Sequence, residues 1–117
     1  MESYELITNF RREQSSGFLK VFYKAGIQNS DALSDAALSY RSADGPDSEA
    51  PLFWPLNEEY WDPQDKVSNL IRAAALYQEA FECKEKQHGD GSVFQHAAIE
   101  VAEEINSLLI HASRSYL

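Results

Sequence analysis

Cysteine and long apolar runs are scarce in this sequence. Cys83 is the only cysteine among the 117 residues, so no disulfide can form within one chain. A reducing compartment fits this composition. The first residues, MESYELITNF, lack a basic segment followed by an apolar run, and no apolar stretch approaches the length that spans a bilayer. We therefore expect a cytoplasmic protein that does not enter membranes.

Basic residues are also in short supply. Ten lysines and arginines stand against 19 aspartates and glutamates, which gives a formal net charge of -9. The excess is greatest in residues 30–66, where nine acids are balanced only by Arg41 and Lys66. An acidic surface repels nucleic-acid phosphates, so we expect no direct binding to nucleic acid. The charge favours a basic protein partner, although solubility alone would also explain it.

Complete catalytic motifs are missing as well. The sequence contains no phosphate-binding GxxxxGK[ST] loop, no GxGxxG, no CxxC and no HExxH. His88, His96 and His111 do not share a metal-binding spacing with Cys83. We interpret these histidines as exposed or helix-capping residues. The pattern favours a protein without enzymatic activity and without a cofactor.

What the sequence does contain is helical periodicity, with apolar residues three and four positions apart. A first segment within residues 2–25 forms one helix or two, and its residues 18–23 also fit a short strand. A second helix is predicted from Asp31 to Ser42. A third begins after the N-cap Asp62, and a fourth begins at Ser92. The short link between the last two helices predicts antiparallel neighbours.

The predicted fold is therefore all-α. We expect one domain over residues 1–117, built as a small bundle of four or five helices with an antiparallel C-terminal hairpin. A chain of this length buries only a modest area, so a homo-oligomer would be compatible with it.

Residues 43–62 form the most unusual segment. Pro46, Pro51 and Pro55 forbid a continuous helix, so we expect an ordered loop packed on the helices, with a mobile tip near Asp44 to Glu49. Loops of this length are uncommon in compact domains and are often functional. Aromatic residues that are typical of binding hot spots lie among acids, and the candidate partner-binding residues are Trp54, Tyr60, Trp61, Glu58, Glu59 and Asp62. The alternative is that the tryptophans close the hydrophobic core.

Paired glutamates give a second candidate site. Glu79 and Glu82 form an ExxE pattern on the third helix, and Glu100 and Glu103 form another on the fourth. A spacing of three places both carboxylates on one helix face, and Mg²⁺ prefers oxygen ligands. The pattern resembles that of the MazG-like all-α nucleotide pyrophosphohydrolases, which implies Mg²⁺-dependent hydrolysis of nucleoside triphosphates. The second motif of that family ends in aspartate, whereas neither Glu100-Val-Ala-Glu103 nor the alternative Glu103-Glu-Ile-Asn106 does. A solvated acidic face is the alternative.

A longer stretch, from Ala32 to Phe81, resembles a group of small phage and prophage proteins. The resemblance is carried by Asp35-Ala-Ala-Leu-Ser-Tyr40, Trp54-Pro55, Trp61-Asp-Pro63 and Asn69-Leu-Ile-Arg-Ala-Ala-Ala-Leu76. It implies an origin in a mobile element and no particular activity.

Together these observations predict a small acidic binding or regulatory protein of phage or prophage type that acts by protein–protein contact. The alternative is a Mg²⁺-dependent pyrophosphohydrolase of the MazG-like kind. Mimicry of DNA by the acidic surface is a third hypothesis.

Overall fold

The computed structural model describes residues 3–14, 18–25 and 29–114, and within these ranges it contains helices and no strand. The predicted all-α fold is thereby confirmed. A 3-10 turn at Glu58–Tyr60 lies between the third and fourth helices. The helices are α1 (Ser3–Gln14), α2 (Phe18–Lys24), α3 (Ser30–Ser42), α4 (Lys66–Lys86) and α5 (Ser92–Arg114).

The N-terminal segment forms two helices rather than one. The alternative of a strand over residues 18–23 is wrong, because α2 occupies these positions. Leu19 and Phe22 are both buried there. A spacing of three places both side chains on the same side of a helix, whereas a strand would direct them to opposite faces.

Helix α4 is the centre of the bundle and packs against α1, α3 and α5. Ala73, Ala74 and Ala75 are fully buried on it, together with Leu70 and Leu76. Three consecutive buried residues require neighbours on several sides of the helix, and small side chains let these neighbours approach closely. The alanine-rich run therefore explains how α4 packs against three other helices at once.

Helix α4 starts later than the sequence predicts. Its N-cap is Asp65, whose carboxylate accepts a hydrogen bond from the backbone N–H of Ser68 at 3.1 Å. Asp62, the predicted N-cap, lies three residues earlier, and its carbonyl oxygen accepts a hydrogen bond from Arg72. Both aspartates are suitable caps by residue type, and the position of the loop on α4 decides between them.

Helices α4 and α5 are joined by residues 87–91 and pack along each other, which makes them the predicted antiparallel hairpin. His88 adopts a left-handed conformation with φ of 60°. The N–H of Gly89 donates to the carbonyl of Lys84 at 3.0 Å and so closes the end of α4. The carboxylate of Asp90 accepts from the N–H of Ser92 at 3.0 Å at the start of α5.

Candidate functional site

Residues 43–62, called the aromatic loop from here on, are closed at their base by one buried side chain. Asn69 on α4 is fully buried. Its amide nitrogen donates to the carbonyl of Ala43 at 3.3 Å and to that of Gln64 at 2.7 Å. Its amide oxygen accepts from the N–H of Gln64 at 2.7 Å. Asn69 therefore joins the first residue of the loop to the segment just after it.

Trp54 is an anchor of the aromatic loop and not part of its free surface. Its side chain is only 8% exposed. The indole packs edge to face on Tyr40, with ring centroids 5.6 Å apart, and on Phe22 at 6.0 Å. Its N–H donates to the carbonyl of Asn57 at 3.2 Å, so the polar atom of the ring is satisfied inside the loop.

Trp61 is the second anchor and is half-buried. Its ring lies 4.7 Å from that of Tyr40 and 5.0 Å from that of Trp54. Its indole N–H donates to the carbonyl of Ser48 at 2.8 Å, across thirteen positions of the chain. The two tryptophans thus bring the early and late parts of the loop together. Their packing fits the alternative given above, in which the tryptophans close the hydrophobic core.

Arg72 secures the end of the aromatic loop from α4. Its guanidinium lies over the rings of Phe18 and Tyr40, at 4.9 and 5.5 Å from their centroids, and it also donates to the carbonyl of Asp62. The N–H of Asp62 donates to the hydroxyl oxygen of Tyr40 at 3.4 Å. Burial raises the pKa of Tyr40 above its ordinary value, and the charge of Arg72 offsets only part of that rise.

The free surface of the loop consists of acids and of apolar residues next to the two anchors. Tyr60 is 45% exposed, and Glu58, Glu59 and Asp62 are exposed as well. Leu52 and Phe53, which sequence reasoning missed, are fully exposed and 43% exposed. Pro51 and Pro55 are signals for a turn at this place, but no local pattern indicates that Leu52 and Phe53 face water.

The charge of the aromatic loop has one sign. The loop contains six acids and no lysine, arginine or histidine, the acids being Asp44, Asp47, Glu49, Glu58, Glu59 and Asp62. Two of them approach a base on α4. Asp44 lies 3.5 Å from Lys66, and Asp62 lies 3.8 Å from Arg72. Both aspartate side chains are largely exposed, so these contacts leave most of the negative charge facing water.

The first glutamate pair is held by a base instead of lying open. Arg11 on α1 donates to Glu79 at 2.8 Å and to Glu82 at 2.9 Å. Its other terminal nitrogen donates to the side-chain oxygen of Gln78 at 2.9 Å. The hydroxyl of Tyr23 on α2 donates to the second oxygen of Glu79. Partial burial of Tyr23, which is 44% exposed, and this carboxylate raise the pKa of the phenol well above its ordinary value of 10.

The second pair lies beside another base. Glu100 lies 3.4 Å from Arg41 on α3, and the neighbouring Glu104 lies 2.6 Å from the same guanidinium. Glu100 and Glu103 line an open groove of about 550 Å³ between α3, α4 and α5. Glu79 and Glu82 do not line that groove.

The two glutamate pairs, as they lie, do not form a joint carboxylate centre for Mg²⁺. Within residues 3–14, 18–25 and 29–114, no group of three or more acids, histidines or cysteines lies close enough together to hold a metal ion. Metal binding by these glutamates stays a prediction, and it requires Arg11 to leave Glu79 and Glu82. Release of pyrophosphate from nucleoside triphosphates in the presence of Mg²⁺ would test it directly.

The remaining candidates from the sequence lie apart from the aromatic loop. His88, His96 and His111 are exposed. Cys83 is a half-buried thiol on α4 that accepts a weak contact from the side-chain amide of Gln87 at 3.7 Å. None of the helices in the described ranges is long and apolar enough to cross a membrane.

The aromatic loop is thus the part of the described chain in which exposed aromatic and apolar side chains, unbalanced charge and a fixed backbone occur together. Comparisons of the sequence with protein-family models and with curated proteins, and of the fold with solved structures, found no match.

Proposed function

We propose that this protein is a small binding or regulatory protein that holds a basic protein partner on its aromatic loop. The observation that carries the proposal is the composition of the loop surface. Exposed Phe53 and Tyr60 lie among six acids, and no basic residue occurs in the loop. Aromatic side chains supply contact area at a protein interface, and complementary charge supplies steering and selectivity.

The rigidity of the loop supports the same proposal. Asn69 closes the base of the loop, and Trp54 and Trp61 fix its middle and its end. A loop that is already ordered loses little conformational entropy when it binds. The anchors therefore contribute to binding indirectly, because they hold the exposed residues in place.

The sequence supports a proposal for the origin of the protein and for the compartment in which it binds its partner. The resemblance of residues 32–81 to small phage and prophage proteins suggests an origin in a mobile element. The single cysteine suggests that the contact takes place in the cytoplasm.

The proposal is tested by comparing three forms of the purified chain. The wild type, the loop variant Glu58→Gln/Glu59→Gln and the control Asp31→Asn/Asp35→Asn are immobilised and exposed to a lysate of the organism that encodes the chain. The loop and control variants lose the same charge, and all four acids are exposed. We expect a protein of positive net charge to bind the wild type and the control, and to bind the loop variant roughly ten-fold or more weakly.

Salt provides the second readout. If charge complementarity guides the contact, the association rate of the purified partner should fall as ionic strength rises, and it should fall less for the loop variant. The proposal is wrong if all three forms retain the same proteins to the same extent.

A further inference from the structure

Leu52 is fully exposed, more than any other large apolar side chain in the described part of the protein. Phe53 beside it is 43% exposed. A single apolar side chain on a surface is ordinary. Two adjacent ones at the tip of a turn form a small projecting apolar surface, and a partner that covers it removes apolar area from water.

The turn itself is closed by a hydrogen bond. The N–H of Trp54 donates to the carbonyl of Pro51 at 3.0 Å, which places Leu52 and Phe53 at the two central positions of a four-residue turn. The ring of Pro51 fixes the φ of the residue that enters the turn. The two apolar side chains are therefore presented at a defined place.

The turn is held on both sides. Before it, the carbonyl of Ser48 accepts from the indole of Trp61 at 2.8 Å, and Ala50 packs against the core. After it, Trp54 is buried against Phe22 and Tyr40. The tip projects from a frame that does not have to rearrange on binding.

We propose that Leu52 and Phe53 form a plug that inserts into a concave apolar pocket of the partner, and that lysines or arginines rim this pocket. The concave shape of the partner surface follows from the exposure of Leu52. Because this side chain projects into water, a flat surface would cover only one side of it, whereas a pocket would cover all sides. The basic rim follows from the acids of the loop, which flank the tip on both sides in sequence. This inference rests on the proposed function and specifies the surface of the partner.

Substitution at the tip tests the plug with the partner purified by the capture experiment. Leu52→Asp should weaken binding by about ten-fold or more, whereas Leu52→Met should stay near the wild type. The control Val93→Asp adds the same charge at an exposed apolar residue of α5, outside the loop, and should bind like the wild type. The direction of the change in affinity is informative. An added negative charge within the acidic loop would by itself strengthen binding to a basic partner, whereas the same charge at position 93 lies outside the proposed contact. Loss of affinity in Leu52→Asp alone therefore reports the loss of apolar insertion.

Cross-linking shows what surrounds the tip. A chain with a photoreactive leucine analogue at position 52 is irradiated with the same partner, and a chain with the analogue at position 93 is the control. We expect an adduct from position 52 alone, on a partner segment of apolar residues with lysine or arginine close by. Unlabelled wild type should compete for the adduct, and Leu52→Asp should not.

These experiments distinguish failure of the plug hypothesis from failure of the proposed function. If Glu58→Gln/Glu59→Gln abolishes binding and Leu52→Asp does not, the plug is wrong and the proposed function stands. The plug is equally wrong if position 52 cross-links only to a second copy of the chain, or to no greater extent than position 93. If no basic protein binds the wild type at all, both proposals fail.

Discussion

Arg11 on α1 and Glu79 on α4 form an ion pair at 2.8 Å, and the same guanidinium nitrogen reaches Glu82 at 2.9 Å. The partners lie on helices that are far apart in sequence, so this contact fixes α1 against the centre of the bundle. Glu79 is only 15% exposed. The glutamate pair that resembles a metal motif in the sequence therefore has a structural role in the fold.

Loss of this pair should destabilise the protein. Arg11→Ala leaves the partly buried Glu79 without its cation, and we expect the free energy of unfolding to fall by about 1–3 kcal/mol. Urea denaturation followed by circular dichroism measures the change. The exposed Lys20→Ala is the control and should stay within about 0.5 kcal/mol of the wild type. An equal loss in both variants would contradict a structural role for the pair.

Stability should fall in alkaline solution. Burial, which is only partial for the 44% exposed Tyr23, raises the pKa values of Tyr23, Tyr40 and Tyr77, and the Glu79 carboxylate raises that of Tyr23 further. A raised pKa means that the folded state favours the protonated phenol. The resulting stability is complete below the ordinary tyrosine pKa of about 10 and is lost as the pH rises above it.

Urea denaturation at a series of pH values between about 8 and 11 tests this window. The decline should be smaller in Tyr23→Phe, because this variant no longer has the phenol that titrates next to Glu79. Tyr60→Phe alters a side chain on the surface and should show the decline of the wild type. A decline that is unchanged in Tyr23→Phe would show that this phenol does not contribute.

The two aspartates at the start of α4 should differ in their effect on stability. Hydrogen bonds from Ser68 lower the pKa of the Asp65 carboxyl, and the bond from the Ser68 hydroxyl has the larger effect. Asp65→Ala removes the N-cap and should cost about 1 kcal/mol, whereas Asp62→Ala should cost less than about 0.5 kcal/mol. The difference is best measured near pH 7, because stability from a lowered pKa is present at neutral pH and is lost in acid. A larger effect from Asp62→Ala would place the start of the helix where the sequence suggests it.

Substitutions at an anchor of the aromatic loop and on its free surface should differ in their effect on stability. Trp54→Ala opens a cavity between Tyr40 and Phe22 and should destabilise the protein by about 3–5 kcal/mol. Tyr60→Ala should leave stability within about 1 kcal/mol of the wild type. Thermal denaturation compares the two variants. If Trp54→Ala unfolds no more easily than Tyr60→Ala, the indole is not part of the core.

The sequence by itself determined the helices and the acidic charge of the loop. Apolar residues at helical spacing identify α3, α4 and α5, because each such helix must bury one face. Pro46, Pro51 and Pro55 exclude a helix from the aromatic loop, since proline lacks the backbone N–H. These properties are local, and neighbouring residues are enough to set them.

Only the tertiary structure decided which residues face outward and which charges are paired. Trp54 and Trp61 are equally suited to an interface and to a core, and their packing on Tyr40 depends on contacts with α3 that no local pattern records. The spacing of Glu79 and Glu82 resembles a metal-binding motif, but the fold places Arg11, which lies 68 and 71 positions earlier, beside both carboxylates. Contacts between distant parts of the chain depend on how the helices pack, and for this reason sequence spacing alone does not reveal them.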